Sequence, residues 1–221
     1  MMLAHPQIDT VFDFEKSQVN TLVIENPAFF REFLFDIHAQ CKGDAGKGIL
    51  SRNYEPVDFA GNAELIDSFL SFDINRKGLL TKLLSRMDSL AMDESHYLRT
   101  SALVGSLEQY LQELSFDLPC DIVCGKLNFS TIIRAVGIHV PDDYESDLER
   151  LLDYMQISRE LERDKLFIFV NLRSYYSDEE VQAFFVSAIS HEYRIFLVDS
   201  VSRVRLSNEC RVTVDCDLCE F

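Results

Sequence analysis

Two continuous apolar runs, KLFIFVN (165–171) and YRIFLVDS (193–200), flank SDEEVQAFFVSAIS (177–190), whose apolar positions recur every three or four residues. A continuous run predicts a strand buried on both faces, and Ser177 followed three residues later by Glu180 is a capping box that opens a helix. Strand, helix and strand together spell a parallel pair with a right-handed crossover. NTLVIEN (20–26) is a further short β-branched run, after which Asn26-Pro27 supplies an N-cap and a first-turn proline. The helix opened there runs to about Cys41 and gathers Phe29, Phe30, Phe33, Leu34 and Ile37 on one broad face, which predicts that it covers a sheet. GILSRNYEPVDFAGNAELIDSFLSFD (48–73) is ambiguous between short strands and a helix, with strands favoured, and RVTVDCDLCEF (211–221) alternates like an edge strand.

From Gly78 to Phe116 the period becomes helical. Leucines stand at 79, 80, 83 and 84, and a second stretch carries Leu103, Val104, Leu107, Tyr110, Leu111 and Leu114, with Asp93 as a cap between the two. This predicts an antiparallel helical hairpin. Gly137 closes a helix over FSTIIRAV, and Ser146 with Glu149 opens SDLERLLDYMQISRELER. The expected organisation is a discontinuous α/β head domain over 1–73 and 117–221, with an α-helical leg domain over 74–116.

Composition narrows the function classes. At 221 residues and 47% hydrophobic, the chain can bury one sizeable core. No window reaches the roughly eighteen uninterrupted apolar residues of a membrane span, and the first residues are neither basic nor long and apolar, so a cytoplasmic protein with no membrane partner is expected. The six cysteines (41, 120, 124, 210, 216 and 219) are expected to be reduced thiols. A net charge of −16 opposes casual nucleic-acid binding, so any contact with DNA needs a basic surface segregated from the acidic remainder.

KGDAGKG (42–48) invites comparison with the nucleotide phosphate loop G-x-x-x-x-G-K-[ST]. Gly43 and Gly46 are too close in sequence, Gly48 follows Lys47 where a hydroxyl is needed, and the stretch ends a helix instead of opening one. It is expected to be a turn. His191-Glu192 lacks the second histidine of H-E-x-x-H because Ile195 occupies that place, and Asp215-x-Asp217 lacks the rest of a calcium loop. Cys120 and Cys124 with Cys216 and Cys219 could make a four-thiolate zinc site, against which stands the strand-like pattern of the tail. No nucleophile with a partnered base is evident. RKGLLTKLLSR (76–86) is the feature above background: Arg76, Lys77, Lys82 and Arg86 with no acid among them, Lys82 and Arg86 on one helical face, and Arg99 available from the next helix. Phosphate contact asks for long cations on a rigid surface.

The order NTLVIEN–helix, SFDIN–basic leucine helix, IIRAVGIHV–acidic helix, ERDKLFIFVN–SDEEV and YRIFLVDS resembles the small non-nuclease adaptation protein of type II-A CRISPR loci across nearly the whole chain. SFDIN (71–75) and KLFIFVN are its most specific pieces. The resemblance implies an α/β fold whose parallel-sheet head has a P-loop-ATPase-like topology without the nucleotide motif, plus the helical leg. It implies no enzymatic activity and a homotetrameric ring with a basic central hole that holds double-stranded DNA ends during spacer acquisition. Calcium and the partners of adaptation, the CRISPR integrase complex and the RNA-guided effector nuclease, come with it. Lys82 matches the family's lysine in the leucine-rich helix; Arg76, Lys77, Arg86 and Arg99 join it as DNA-binding candidates on charge and spacing. The family's acids before IIRAVGIHV correspond here to Asp117 and Asp121, and those of PDDYESDLER to Glu145 and Glu149, which gives the expected calcium ligands. Two rival readings are a divergent nucleotide hydrolase on the same sheet and a zinc-stapled interaction module.

Overall fold

The structure is a computed structural model, described for residues 1–120, 122, 123 and 125–221. The chain divides into two compact units, Met1–Phe72 with Tyr144–Phe221, and Asp73–Asp143. The second unit thus takes in residues 117–143 as well as the two helices of the expected leg.

The first unit is built on five parallel strands. β3 (Val19–Ile24), β6 (Ala63–Ile66), β7 (Leu166–Val170), β8 (Arg194–Asp199) and β9 (Cys210–Val214) lie in the order β6-β7-β8-β3-β9. Every residue of β3 and β7 is buried, which is what continuous apolar runs require. β9 occupies one edge, as its alternation predicts. One face of the sheet is covered by α1 (Pro27–Cys41), where Asn26 accepts from the N–H groups of Ala28 and Phe29 and buries Phe29, Phe33 and Ile37 beneath the helix. Each fully buried phenylalanine there stabilises by about 2–3 kcal/mol. The other face takes α7 (Asp178–Ser190), whose Phe184 meets Phe169 of β7 edge to face at 5.6 Å. Both capping-box bonds of α7 are formed, Glu180 N–H to Ser177 Oγ (3.3 Å) and Ser177 N–H to the Glu180 carboxylate (2.8 Å). α6 (Asp147–Leu161) packs beside α7, with Ser146 accepting from Leu148.

A four-stranded antiparallel sheet, two of whose strands fall in the 48–73 segment where short strands are favoured, sits on the α1 side. β1 (Met2–His5), β2 (Ile8–Asp13), β4 (Ile49–Arg52) and β5 (Glu55–Val57) run in the order β2-β1-β4-β5. Leu3, Phe12 and Leu50 enter the same core as Leu22 and Phe196, with Phe12 4.7 Å from Phe196 ring to ring. α2 (Phe59–Asn62) is a single helical turn between β5 and β6, within the segment expected to be strands. The tail after β9 turns back, and Glu220 accepts from the N–H groups of Asp9 (2.6 Å) and Thr10 (2.9 Å), tying it to β2.

The second unit contains α3 (Lys77–Ala91), α4 (Tyr97–Phe116) and α5 (Phe129–Ala135). Both helices of the predicted hairpin form, and α3 packs on α5. Asp93 does not cap α4 from the N-cap position, which is His96; its carboxylate accepts from His96 N–H one turn earlier. Asn75 of SFDIN ties that segment to IIRAVGIHV: its side chain accepts from Val140 N–H (2.8 Å) and donates to Val140 C=O (2.9 Å), as a neighbouring strand would. No helix among the described residues is long and apolar enough to cross a membrane.

Candidate nucleic-acid interface

α3 carries the basic stretch. Leu79 and Ala91 are its buried residues, with Leu80, Leu83, Leu84 and Met87 half-buried on the same side. Lys82 and Arg86, one turn apart, fall on the opposite side with Gly78, Ser85 and Ser89, and both are exposed. Gly78 has open space around the place of its missing Cβ, so the surface beside Lys82 is low. Lys77, at the first helical position, is exposed; Arg76, the N-cap, is half-buried; Arg99 is exposed on the first turn of α4. The structure therefore brings Lys82 and Arg86 together on one face and leaves Arg76 and Lys77 at the helix start. Lys77, Arg86 and Arg99 make no ion pair among the described residues.

The charge at the start of α3 runs against the helix. A helix N-terminus carries roughly +0.5 of a charge and is stabilised by acids. Here the first turn has no acid, the N-cap side chain makes no capping bond, and two cations stand in its place. An external anion at that end would relieve the mismatch. Thr81, Ser85 and Ser89 each turn their hydroxyl donor back to the carbonyl four residues earlier, along one line of the helix.

KGDAGKG is a turn, and its amides are already occupied. Asp36 of α1 accepts from Lys47 N–H (2.9 and 3.0 Å to its two oxygens) and from Gly48 N–H (3.1 Å), while Lys47 Nζ pairs with Glu32 at 2.6 Å. Gln40 exchanges two further bonds with Gly48. A Cβ on Gly46 would lie 2.4 Å from Gln40 Cγ, and one on Gly48 2.7 Å from Gln40 Oε1, so these glycines serve close packing against α1. His5 lies 3.6 Å from the same carboxylate, and burial pushes its pKa down although Asp36 pulls it up.

Of the expected calcium ligands, Asp117 is exposed just after α4, Glu145 is exposed before α6, and Glu149 is exposed in its first turn; Asp121 lies outside the described residues. Asp117 belongs to one unit and Glu145 and Glu149 to the other. Among the described residues no three His, Cys, Asp or Glu side chains gather where they could hold a metal ion. Cys120, Cys210, Cys216 and Cys219 are exposed free thiols, Cys124 lies outside the described residues, and burial pushes the Cys41 thiol up to about 11. His191 and Glu192 are exposed, and His191 stacks flat on the buried Tyr193 at 5.6 Å.

From the carboxyl ends of β7 and β8 to the start of β9 runs a charged group that sequence reasoning did not assemble. Asn171, in the left-handed region at φ +52°, accepts from Ser200 N–H (2.8 Å). Arg173 is buried and donates to Asp178 (2.7 Å) and to Val204 C=O (2.8 Å). Arg211 pairs with buried Glu209 and donates to Arg203 C=O. Burial pushes the Asp199 carboxyl up to about 6, with Arg173, Arg203 and Arg211 pulling it down and Glu209 raising it. The acid-free run SVSRVRLSN (200–208) was the available signal in the sequence.

Three comparisons bear on this arrangement. The family model "CRISPR-associated protein (Cas_Csn2)" matches residues 40–218. A CRISPR-associated protein Csn2 of Enterococcus faecalis is 21% identical over 119 residues, which are 53% of this chain and 54% of that relative, so the chain aligns with about half of its length. Stu0660 of Streptococcus thermophilus, a crystal structure, matches over 91% of this chain and 69% of that one at 12% identity with a TM-score of 0.55, a likeness of fold. With well over half of its length matched by the family model, this α/β chain with its basic helix belongs to the CRISPR-associated Csn2 family.

Proposed function

We propose that this chain is a spacer-acquisition protein of CRISPR adaptation that forms a homotetrameric ring and holds the ends of double-stranded DNA in a basic central hole, without making or breaking bonds. The observation that carries the reading is α3: an exposed acid-free basic face, at a helix start that lacks both acid and cap, in a chain of net charge −16. Phosphate oxygens would meet Lys82 and Arg86 along the face, with Arg76, Lys77 and Arg99 adding to the field. The integrase complex and the RNA-guided effector nuclease are the proposed partners. Calcium is the proposed ion on the family resemblance, with Asp117, Asp121, Glu145 and Glu149 as candidate oxygen donors.

Phosphate contacts of this kind give binding that ignores base sequence and weakens steeply with salt. The test is a gel shift with linear and closed circular duplex of equal length, with calcium or a chelator, beside a solution mass. Linear duplex alone should be retained by a tetramer. Lys82→Glu with Arg86→Glu should abolish that retention at unchanged helix content. Equal retention of circular duplex, or a double variant that binds like the parent, would sink the reading. The nucleotide-hydrolase rival has Asp36 against it, since that carboxylate uses the amides a phosphate would need.

A further inference from the structure

Between Asp199 and Glu209 the chain runs for Ser200–Asn208 without an acidic residue, in a protein where acids outnumber bases 37 to 21. Arg203 and Arg205 are both exposed there, as are Val201 (56%) and Val204 (76%). The neighbouring cations are balanced: Arg173 by Asp178 and Arg211 by Glu209. Arg203 makes no ion pair among the described residues, and Arg205 donates only to a main-chain oxygen, that of Glu209 at 3.1 Å. The loop therefore shows two guanidinium groups two residues apart that make no close ion pair among the described residues, with Asp199 the acid that Arg203 acts on.

It is also held firmly. Ser200 is fixed by Asn171, with N–H at 2.8 Å and Oγ at 3.0 Å from the same amide oxygen. Val204 C=O accepts from both Arg173 and Arg211, Leu206 N–H donates to Glu209 (2.8 Å), and Ser207 exchanges two bonds with Gln182. Arg173 is only 2% exposed, an expensive place for a guanidinium unless the main chain it supports has to be held. Asp199 lies beneath with one carboxylate oxygen buried and unpartnered. A preordered backbone that presents mobile cations loses little freedom on binding, which favours a polyanion of regular spacing. The loop leaves the carboxyl end of β8, the edge at which open α/β sheets take their ligands, and returns to the amino end of the parallel strand β9.

We propose that the loop Ser200–Asn208 is a second phosphate-contacting surface, on the α/β unit and separate from α3, through which Arg203 and Arg205 hold the backbone of duplex DNA. This rests on the DNA reading above. Each phosphate contact contributes a salt slope of roughly 0.9, so losing two should weaken binding about 60-fold at 0.1 M salt relative to 1 M.

The test uses the full chain as Arg203→Glu/Arg205→Glu and as Arg203→Lys/Arg205→Lys, titrated against a linear duplex by fluorescence anisotropy from 0.05 to about 1 M sodium chloride, the range over which the slope is read. The glutamate pair should lower the slope by about 2 and approach the parent at high salt, while the lysine pair keeps most of the affinity. An unchanged slope in the glutamate pair overturns this inference and leaves the DNA reading standing. A parent chain that fails to bind linear duplex overturns the DNA reading itself. Polyglutamate bound by the parent as well as DNA is bound would signify a surface that takes an acidic protein partner on charge alone and also overturns the inference. Urea midpoints equal to the parent's exclude misfolding as the cause of any loss.

Discussion

Asp36→Ala tests whether the glycine stretch is a turn held by its own carboxylate. The substitution removes the acceptor of Lys47 N–H and one of two acceptors of Gly48 N–H, which keeps Gln40 Oε1 at 3.1 Å. Lys47 N–H is exposed and can turn to water, whereas Gly48 N–H is part-buried. A hydrogen bond to a charged acceptor contributes about 1.5–3 kcal/mol, so with one donor rehydrated and the other half-satisfied the loss should be about 2 kcal/mol. For a chain of this size that is a fall of about 4–8 °C in Tm. Asp36→Asn keeps one oxygen acceptor and should recover about half of it. Urea denaturation followed by circular dichroism, with a thermal scan, reads both numbers. A midpoint unchanged in Asp36→Ala would show that these amides need no partner. ATP-dependent stabilisation of the parent, lost in Lys47→Ala, would show that the partner they need is a phosphate.

Two pH effects follow from buried groups. His5 has its pKa lowered by burial, so its neutral form belongs to the fold: its share of stability is complete above about 6.5, the pKa of a free imidazole, and declines as pH falls below that value. Urea midpoints between pH 7.5 and 5 should show the decline in the parent and a flatter profile in His5→Asn; parallel profiles refute the assignment. Asp199 works in the other direction, because a carboxyl raised to about 6 lets the folded chain keep a proton that the unfolded chain releases from about pH 4 upward. Its contribution is therefore lost as pH rises through 6, and Asp199→Asn should be more stable than the parent by roughly 3 kcal/mol at pH 7.5 and by much less at pH 4.5, a gap that must close on acidification for the reasoning to hold.

What could be read from the chain beforehand was the local chemistry. The capping box of α7 and the Asn26 cap of α1 are formed by residues two or three apart, and the parallel strands announce themselves by unbroken apolar runs. Of the antiparallel sheet, β4 and β5 lie in the segment where strands are favoured, whereas β1 gives no sign because it is four residues long and pairs with β4 some way along the chain. The contact of α3 with α5 was not legible for a similar reason: α5 has only seven residues. For the glycine stretch, spacing ruled out a phosphate loop, but nothing local pointed to Asp36, eleven residues back on the face of a helix. The basic run of α3 was visible as composition. The loop arginines were not, since Arg203 and Arg205 acquire meaning only when Arg173 and Arg211 are seen spending their donors on the loop's carbonyls.

The net charge of −16 sets the terms on which either basic surface could act. At physiological ionic strength charges are screened beyond about 8 Å, so an acid elsewhere on the surface hardly opposes a phosphate seated against Lys82 or Arg203, whereas an acid within one helical turn does. This makes the absence of acids from residues 76–86 and 200–208 more informative than the number of cations in them. The same screening argument gives the two surfaces a shared signature. As salt is lowered below 0.05 M the screening length grows toward 30 Å, the acidic remainder begins to repel the duplex, and the rise in affinity should flatten. A chain whose DNA contact were spread evenly over a neutral surface would show no such bend, because lowering salt would bring no repulsion into range.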